Sequence, residues 1–214
     1  MQSLENKFVH LTNSDLNRHN KNFISSNGYN NINANAWNIF MYKNFLKKYN
    51  IDWNNIRQKI KDIIIKSIIS LYKNLSDYLD KNYLNEQSFY EILGYDILIT
   101  DKFIPILLEI NKNPDMRIFA DLDKPIKTDL FIDTLNLIGI IPFSRKTDEL
   151  LNFPHKFKNR INDKINNAFC ELNRPRGDYE LIFPTKETIN NYKKFFINNS
   201  EENKIFWDKI MSLK

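Results

Sequence analysis

The stretch Phe89-Tyr-Glu-Ile-Leu-Gly-Tyr-Asp-Ile-Leu-Ile-Thr-Asp-Lys-Phe-Ile-Pro-Ile-Leu-Leu-Glu-Ile-Asn111 decides how this chain is read. Two apolar runs flank Asp101-Lys102, the pattern of two strands around a tight turn. Asp96, Glu109 and Asn111 sit among aliphatic neighbours, where polar groups are expensive to bury unless something pairs with them. Side chains alternate along a strand, so Glu109 and Asn111 share a face and Ile110 points the other way. A two-residue turn at Asp101-Lys102 predicts that Thr100 pairs with Phe103, Asp96 with Leu107 and Gly94 with Glu109. Asp96 is then a diagonal neighbour of Glu109 on the face that also carries Asn111. A three-residue loop instead puts Asp96 on the opposite face.

Two carboxylates and an amide oxygen converging on one face repel one another without a cation. Such oxygen ligands suit Mg²⁺, which keeps several waters and shares its shell with nucleotide phosphates. Gly94 across from Glu109 leaves room for the ion and the phosphates. The competing account is structural: an acid that caps a neighbouring element, and Asn111 closing the strand in an Asx turn. It suits any one of the three residues better than it suits all three on one face, followed by Lys112-Asn113-Pro114.

Outward from the hairpin, Lys7 to Thr12 alternates as a strand would, with Phe8, His10 and Thr12 on one face. His10 reads as a hydrogen-bonded structural histidine rather than a catalytic base. Asn13 to Asn38 is polar and asparagine-rich and reads as a mobile loop. Trp37 to Tyr49 suits a helix through Trp37, Phe40, Met41, Phe45 and Leu46. The next helix has Asp52 as its N-cap and an apolar stripe of Ile56, Ile60, Ile63, Ile64, Ile68, Leu71 and Leu75. Arg57, Lys61 and Lys66 fall on its wetter side. After the hairpin a loop from Pro114 to Pro125 leads to a helix carrying Leu130, Phe131, Leu135 and Ile138, stopped by Gly139 and Pro142. Beyond residue 150 basic residues dominate, and the chain ends in an amphipathic helix through Tyr192, Phe196 and Trp207. Helices around an antiparallel hairpin make the fold class α+β.

Bulk properties narrow the function. With 42% hydrophobic residues over 214 positions the chain is globular rather than disordered, and long enough for one substantial core. A single cysteine, Cys170, excludes a disulfide framework and fits a reducing compartment. No apolar run is long enough to span a bilayer, and the N-terminus lacks the order of a signal peptide, so a cytoplasmic protein is expected. A formal net charge of +5 favours an anionic partner. Nucleic acid is disfavoured, because no recognition motif or aromatic-basic strand pattern is present. No Ser-His-Asp or Cys-His arrangement is evident.

Three motifs carry a resemblance. Glu91-Ile-Leu-Gly-Tyr-Asp-Ile-Leu98, then Pro105-Ile-Leu-Leu-Glu-Ile-Asn111 with Pro114 behind it, resembles the metal-binding core of the tubulin tyrosine ligase-like family. Lys7-Phe-Val-His-Leu-Thr-Asn13, followed by Asn17-Arg-His-Asn-Lys-Asn-Phe23, resembles a second motif of that family. Arg176-Gly-Asp-Tyr-Glu-Leu-Ile-Phe-Pro184, with Tyr192 and Phe195-Phe196 behind it, resembles the glutamylase branch more than the tyrosine ligase itself. The resemblance implies the C-terminal half of an ATP-grasp fold over residues 1–150, an antiparallel sheet with helices, followed by a basic, mainly helical extension over 151–214. Met1 is accordingly expected to begin within the catalytic domain, whose preceding part supplies phosphate-gripping lysines and the adenine site.

The resemblance also implies an activity, the ATP-dependent ligation of an amino acid to protein carboxylates of tubulin through an acylphosphate. That chemistry needs positioning and charge neutralisation rather than an enzyme nucleophile, so no residue is assigned covalent catalysis. Asp96, Glu109 and Asn111 are implied as Mg²⁺ ligands, and Thr12 and Asn13 as nucleotide contacts. Lys127, Arg117 and Ser14 are implied to bind substrate. The expected partners are the acidic C-terminal tails of tubulin, or microtubules, and a free amino acid; neither nucleic acid nor membrane is expected, and the location is cytoskeletal. Two departures bear on the amino acid. Ser14-Asp15 stands where the family commonly has Tyr-Ser, and a family lysine falls at Ala36. Glutamate is the expected donor, tyrosine the alternative, and a non-catalytic tubulin-binding module built around the basic region the reading from another class.

Overall fold

The computed structural model of the chain describes residues 7–10, 14–26, 31–81, 90–119, 121–139, 168–169, 171–195, 208 and 212. They fall into two compact units, Met1–Asn54 with Met116–Thr128, and Asn55–Asp115 with Asp129–Lys214. The elements mix helices with one antiparallel two-stranded sheet, as the α+β reading expects.

The first unit opens with two short helices, α1 (Lys7–His10) and α2 (Ser14–Asn17). A strand was expected from Lys7, and the structure corrects it. Period-two alternation over six residues is a weak signal. A strand needs a ladder partner for its backbone groups, whereas a helical turn closes its own hydrogen bonds. The asparagine-rich segment that follows is less loop-like than its composition suggests. Asn20 accepts the Asn22 N–H and Asn31 the Asn33 N–H, each a two-residue Asx closure. Asn35 receives the Ile24 N–H at 2.8 Å and returns its own N–H to the Ile24 carbonyl at 3.0 Å. Asn38 caps α3 (Ile39–Lys48), accepting the Met41 N–H at 2.8 Å. Met41 and Leu46 of α3 are buried, with Ser26, Ala34 and Leu122 of the same unit. Phe40, expected on the apolar face, is exposed.

Helix α4 (Trp53–Lys81) starts where Asp52 was expected to cap it, Asp52 accepting the Asn54 N–H at 2.9 Å. Of its expected apolar stripe only Ile56 is buried; Ile60, Ile63 and Ile64 are half-buried, and Ile68, Leu71 and Leu75 are exposed. Ile65, outside that stripe, is buried as well. Strands β1 (Leu93–Ile99) and β2 (Pro105–Lys112) follow, tied to α4 by a 2.7 Å bond between the hydroxyls of Tyr95 and Ser67. Helix α5 (Asp123–Ile138) begins before the expected loop ends, since Pro125 stands in its first turn, where a missing N–H is harmless. It ends at Gly139, whose φ of +78° is the left-handed value that stops helices.

Residues 171–195 form a strap fastened to α4 and α5 largely by polar contacts. Arg174 donates to the Leu137 carbonyl at 2.9 Å, and the Asp178 N–H donates to Asp133 at 2.9 Å. Buried Thr134 shares a 2.7 Å bond with the Tyr179 hydroxyl. Glu180 pairs with Arg57 and Lys61, and the Tyr192 hydroxyl donates to Asp62 at 2.6 Å. Lys61 therefore holds the strap rather than pointing into solvent, its side chain only 16% exposed. The strap ends in α6 (Lys186–Tyr192), closed at its start by a Thr185–Thr188 capping box, and a short 3₁₀ turn, Lys193–Phe195. A longer amphipathic helix to Trp207 was expected; Phe196 and Trp207 lie outside the described residues.

These contacts are linked to pH. Burial works to raise the Asp62 carboxyl, but bonds from Lys66 and Tyr192 outweigh it and hold the group below its ordinary value. The bond from Lys61 holds Glu180 low against a smaller effect of burial. Burial, then the bond to Asp62, pushes Tyr192 up to about 12. The carboxylate contribution is thus fully present above the ordinary carboxylate range near pH ~4 and lost as pH falls through the lower folded-state values. The tyrosine contribution is present below pH ~10 and lost as pH rises through the folded value. Tyr192→Phe should lower stability at neutral pH by about 1 kcal/mol, a modest figure because the pair is partly exposed. Urea titrations at pH 7 and near pH ~2 check this, since the difference from wild type should close once Asp62 is protonated.

Candidate functional site

The hairpin brings Asp96, Glu109 and Asn111 together by a route that differs from the expected one. The loop has three residues, Asp101-Lys102-Phe103, with Phe103 at a φ of +56°. Thr100 N–H donates to the Ile104 carbonyl at 3.0 Å, and Phe103 N–H to the Thr100 carbonyl at 2.9 Å. Pro105 explains the extra residue. A two-residue turn would set Pro105 opposite Leu98 at a hydrogen-bonding position, and proline has no N–H to give. In the observed register Pro105 faces Ile99, next to the bonded Thr100–Ile104 pair, where no N–H is needed.

Such a loop alone would turn Asp96 away from Glu109. A β-bulge reverses the effect. Ile97 pairs with Leu107, but Asp96 pairs with Glu109, so Leu108 is an extra residue on β2. The two one-residue shifts cancel in parity. Asp96 lies directly across from Glu109 rather than diagonal to it, and Gly94 is across from Asn111 rather than Glu109. Because the ladder regains its phase only through the bulge, deleting Leu108 should join the Ile97–Leu107 and Asp96–Glu109 pairs into one regular ladder. The deletion should preserve whatever divalent-ion response the wild type shows. Loss of that response with the fold intact by circular dichroism would contradict this account of the bulge.

The chemistry of the face follows from charge rather than from burial. Asp96 and Glu109 are exposed and Asn111 is half-buried, so the expectation of buried acids is corrected. Even so, loss of hydration and then the neighbouring Glu109 carboxylate raise the Asp96 carboxyl above its ordinary value. The Asn111 amide donates to Glu109 at 3.1 Å. Among the described residues no three of His, Cys, Asp and Glu gather as a ligand set; this group is two carboxylates and an amide. Gly94 leaves no open space for an ion. A Cβ there would lie 3.0 Å from the Cβ of Pro114, so the glycine accommodates the return of the chain after β2.

Other expected site residues lie in the first unit. Lys127 Nζ donates to the Arg117 carbonyl at 2.5 Å and lies 3.8 Å from Asp123, which accepts the Phe119 N–H at 2.9 Å. The Arg117 guanidinium and the Lys127 ammonium lie 4.9 and 5.8 Å from the centre of the Phe119 ring. Ser14 opens α2, with its side chain outside what is described, and Thr12 and Asn13 lie outside the described residues.

Comparison with known proteins adds what geometry alone does not. Residues 1–149 match the profile of the Tubulin-tyrosine ligase family. The chain belongs to that family. Tubulin monoglutamylase TTLL4 of Mus musculus is 32% identical over 141 residues, covering 66% of this chain and 12% of that protein. Tubulin polyglutamylase ttll-4 of Caenorhabditis briggsae is 26% identical over 229 residues, covering 91% of this chain and 38% of that one. Tubulin polyglutamylase TTLL6 of Homo sapiens is 28% identical over 229 residues, covering 98% and 25%. Within the tubulin-tyrosine ligase family these relatives place the resemblance in the glutamylase branch. The chain spans between 12% and 38% of their lengths. Among its described residues no helix is long and apolar enough to cross a membrane.

Proposed function

We propose that this chain carries the magnesium-binding wall of an ATP-dependent ligase that adds an amino acid, glutamate by its relatives' names, to carboxylates of tubulin. The observation that carries the reading is the Asp96–Glu109 cross-strand pair with Asn111 on the same face. Like charges directly opposite each other in a sheet are unfavourable, and a hard divalent cation is the partner that resolves them. The donor set fits: two carboxylates and an amide that can offer its oxygen, as Mg²⁺ sites shared with phosphates require. Asp96, Glu109 and Asn111 would hold the ion, which would supply neutralisation of phosphate charge when bound. The chain's own share is positioning. Asp96 and Glu109 present their oxygens from a ladder whose phase the bulge sets. Lys127 and Arg117 bind the carboxylate of the free amino acid, and Thr12 and Asn13 contact the nucleotide. On this reading residues 1–150 form part of an ATP-grasp domain, residues 151–214 form an extension to it, and the protein works in the cytoplasm on the acidic tails of tubulin.

The reading as a passive tubulin-binding module is less favoured. In the basic region on which it rests, Arg174 and Arg176 donate to the carbonyls of Leu137 and Leu172. The test is a titration of the 214-residue chain with Mg²⁺ and with Mn²⁺, each with and without ATP, read by calorimetry and thermal unfolding. A ligand held at about 100 times its Kd stabilises by about 2.7 kcal/mol. Unfolding that ignores both ions at millimolar concentration would remove the metal wall from the proposal.

A further inference from the structure

We infer that Tyr95, held by Ser67, is a positioning residue for the metal face: its hydroxyl fixes the end of β1 from which Asp96 meets Glu109. That this placement serves an ion rests on the ligase reading; the placement itself does not. The Tyr95 and Ser67 hydroxyl oxygens are 2.7 Å apart, and Ser67 donates to the Ile64 carbonyl at 2.8 Å. A serine hydroxyl has a single proton, so Tyr95 is the donor and Ser67 Oγ the acceptor. Ser67 stands midway along α4, and its bond to Ile64 fixes its hydroxyl, so the acceptor is set on a regular helix with a defined aim.

The need for such a tie comes from the bulge. The three-residue loop sets the pairs from Ile97–Leu107 to Ile99–Pro105. Unpaired Leu108 then interrupts the ladder, and the pairs from Leu93–Lys112 to Asp96–Glu109 lie beyond it, out of reach of the turn. Two strands by themselves are marginal in water. The first pair past the bulge is Asp96–Glu109, whose like charges push the strands apart. A neutral hydrogen bond is of the same order as that opposition, so one tie at the next residue is enough to offset it. The direction follows from alternation. Tyr95, bonded to α4 and paired with half-buried Ile110, leaves exposed Asp96 on the other face, opposite Glu109. Phenylalanine in place of Tyr95 would keep the ring and lose the tie.

The experiment titrates the 214-residue chain with Mg²⁺ and with Mn²⁺ by calorimetry and compares it with Tyr95→Phe, Ser67→Ala, Ser67→Thr and the double variant of the first two. Tyr95→Phe should weaken ion binding about fivefold, the factor for one neutral hydrogen bond. Ser67→Ala, which leaves the Tyr95 ring in place, should do the same, and the double variant should lose no more than either alone. Ser67→Thr keeps an acceptor hydroxyl and should recover most of the affinity. Urea unfolding separates a purely structural bond, which lowers the stability of Tyr95→Phe and leaves ion affinity unchanged. That outcome overturns the inference, as do single-variant losses that simply add. The ion-free chain gives a second readout by nuclear Overhauser contacts. The cross-strand contact between the Asp96 and Glu109 backbones should weaken in Tyr95→Phe, while that between Ile97 and Leu107, on the turn side of the bulge, persists. Affinity that falls with the Asp96–Glu109 contact intact also overturns the inference, because the tie then acts other than by placing Asp96. If the wild type ignores both ions, the ligase reading fails and the backbone contact alone decides the role of Tyr95. If the wild type binds the ion and Tyr95→Phe keeps both affinity and contact, the ligase reading stands without Tyr95.

Discussion

Replacing Asp96 with asparagine should lower the divalent-ion affinity of the chain by at least about 100-fold and yet make the ion-free chain more stable. Outer-shell changes around metal ligands already cost about 10- to 100-fold, so losing a ligand charge should cost more. The gain in stability has a separate origin. Burial and Glu109 together raise the Asp96 carboxyl, so its contribution to stability is present below the ordinary carboxylate pKa and lost as pH rises through the folded value. The wild type sets the two carboxylates against each other across β1 and β2, and an amide in place of one removes that opposition. The gain should be a few tenths to about 1 kcal/mol, the usual range for cross-strand pairs. On the proposed ligase reading, ligation should fall in step with ion affinity. A variant that is no more stable than wild type at pH 7, or that still binds Mg²⁺ normally, would count against the site. The pH profile discriminates further. Asp62 and Glu180 shift the opposite way, so removing Asp96 should leave a chain that gains stability more steeply between pH ~3 and ~6 than wild type does.

Gly177→Ala should destabilise the chain by roughly 2–4 kcal/mol, although the residue is exposed. Two effects add. The residue has a φ of +53°, where a Cβ costs about 1–2 kcal/mol. That Cβ would also fall 1.9 Å from Asp133 Oδ1, so the carboxylate must move and give up the Asp178 N–H it accepts at 2.9 Å. A bond to a charged acceptor is worth about 1.5–3 kcal/mol, less where water competes. Urea titration of the single variants and of Asp133→Ala with Gly177→Ala separates the two effects. With the carboxylate gone, only the backbone strain remains, and the double variant should cost less than the two single changes together. Strict additivity would show that Asp133 and Gly177 do not meet.

The sequence made some of this legible and hid the rest for identifiable reasons. The hairpin announced itself because its apolar runs have the right length and its polar residues the right parity. Its register did not, because two departures from the simplest turn cancelled. Pro105 was the available clue to the first, since a proline cannot fill a bonded position; nothing in Leu107-Leu108 advertised the bulge. Asp52 could be placed at a helix start from chemistry alone, whereas Asn38, which caps α3, falls at the end of the expected loop, with the helix expected to begin already at Trp37. The strand expected over Lys7 to Thr12 rested on a pattern of only six residues. The strap was invisible. Asp133, Thr134, Asp62 and Lys61 look like ordinary helix-surface residues until their partners arrive from Asp178, Tyr179, Tyr192 and Glu180 far along the chain. Long-range polar pairing leaves no periodicity to read.

The face that carries Asp96 and Glu109 also carries Leu98 and Ile106, paired across the strands and 42% and 45% exposed. Among the described residues no further strand pairs with either edge of this two-stranded sheet, and an apolar surface beside unpaired edges invites copies of the same chain to stack on it. The charge of the acid pair on that surface opposes such stacking. Neutralising it by substitution or by acid should favour clumping, so the protein concentration has to be held fixed whenever such variants are compared.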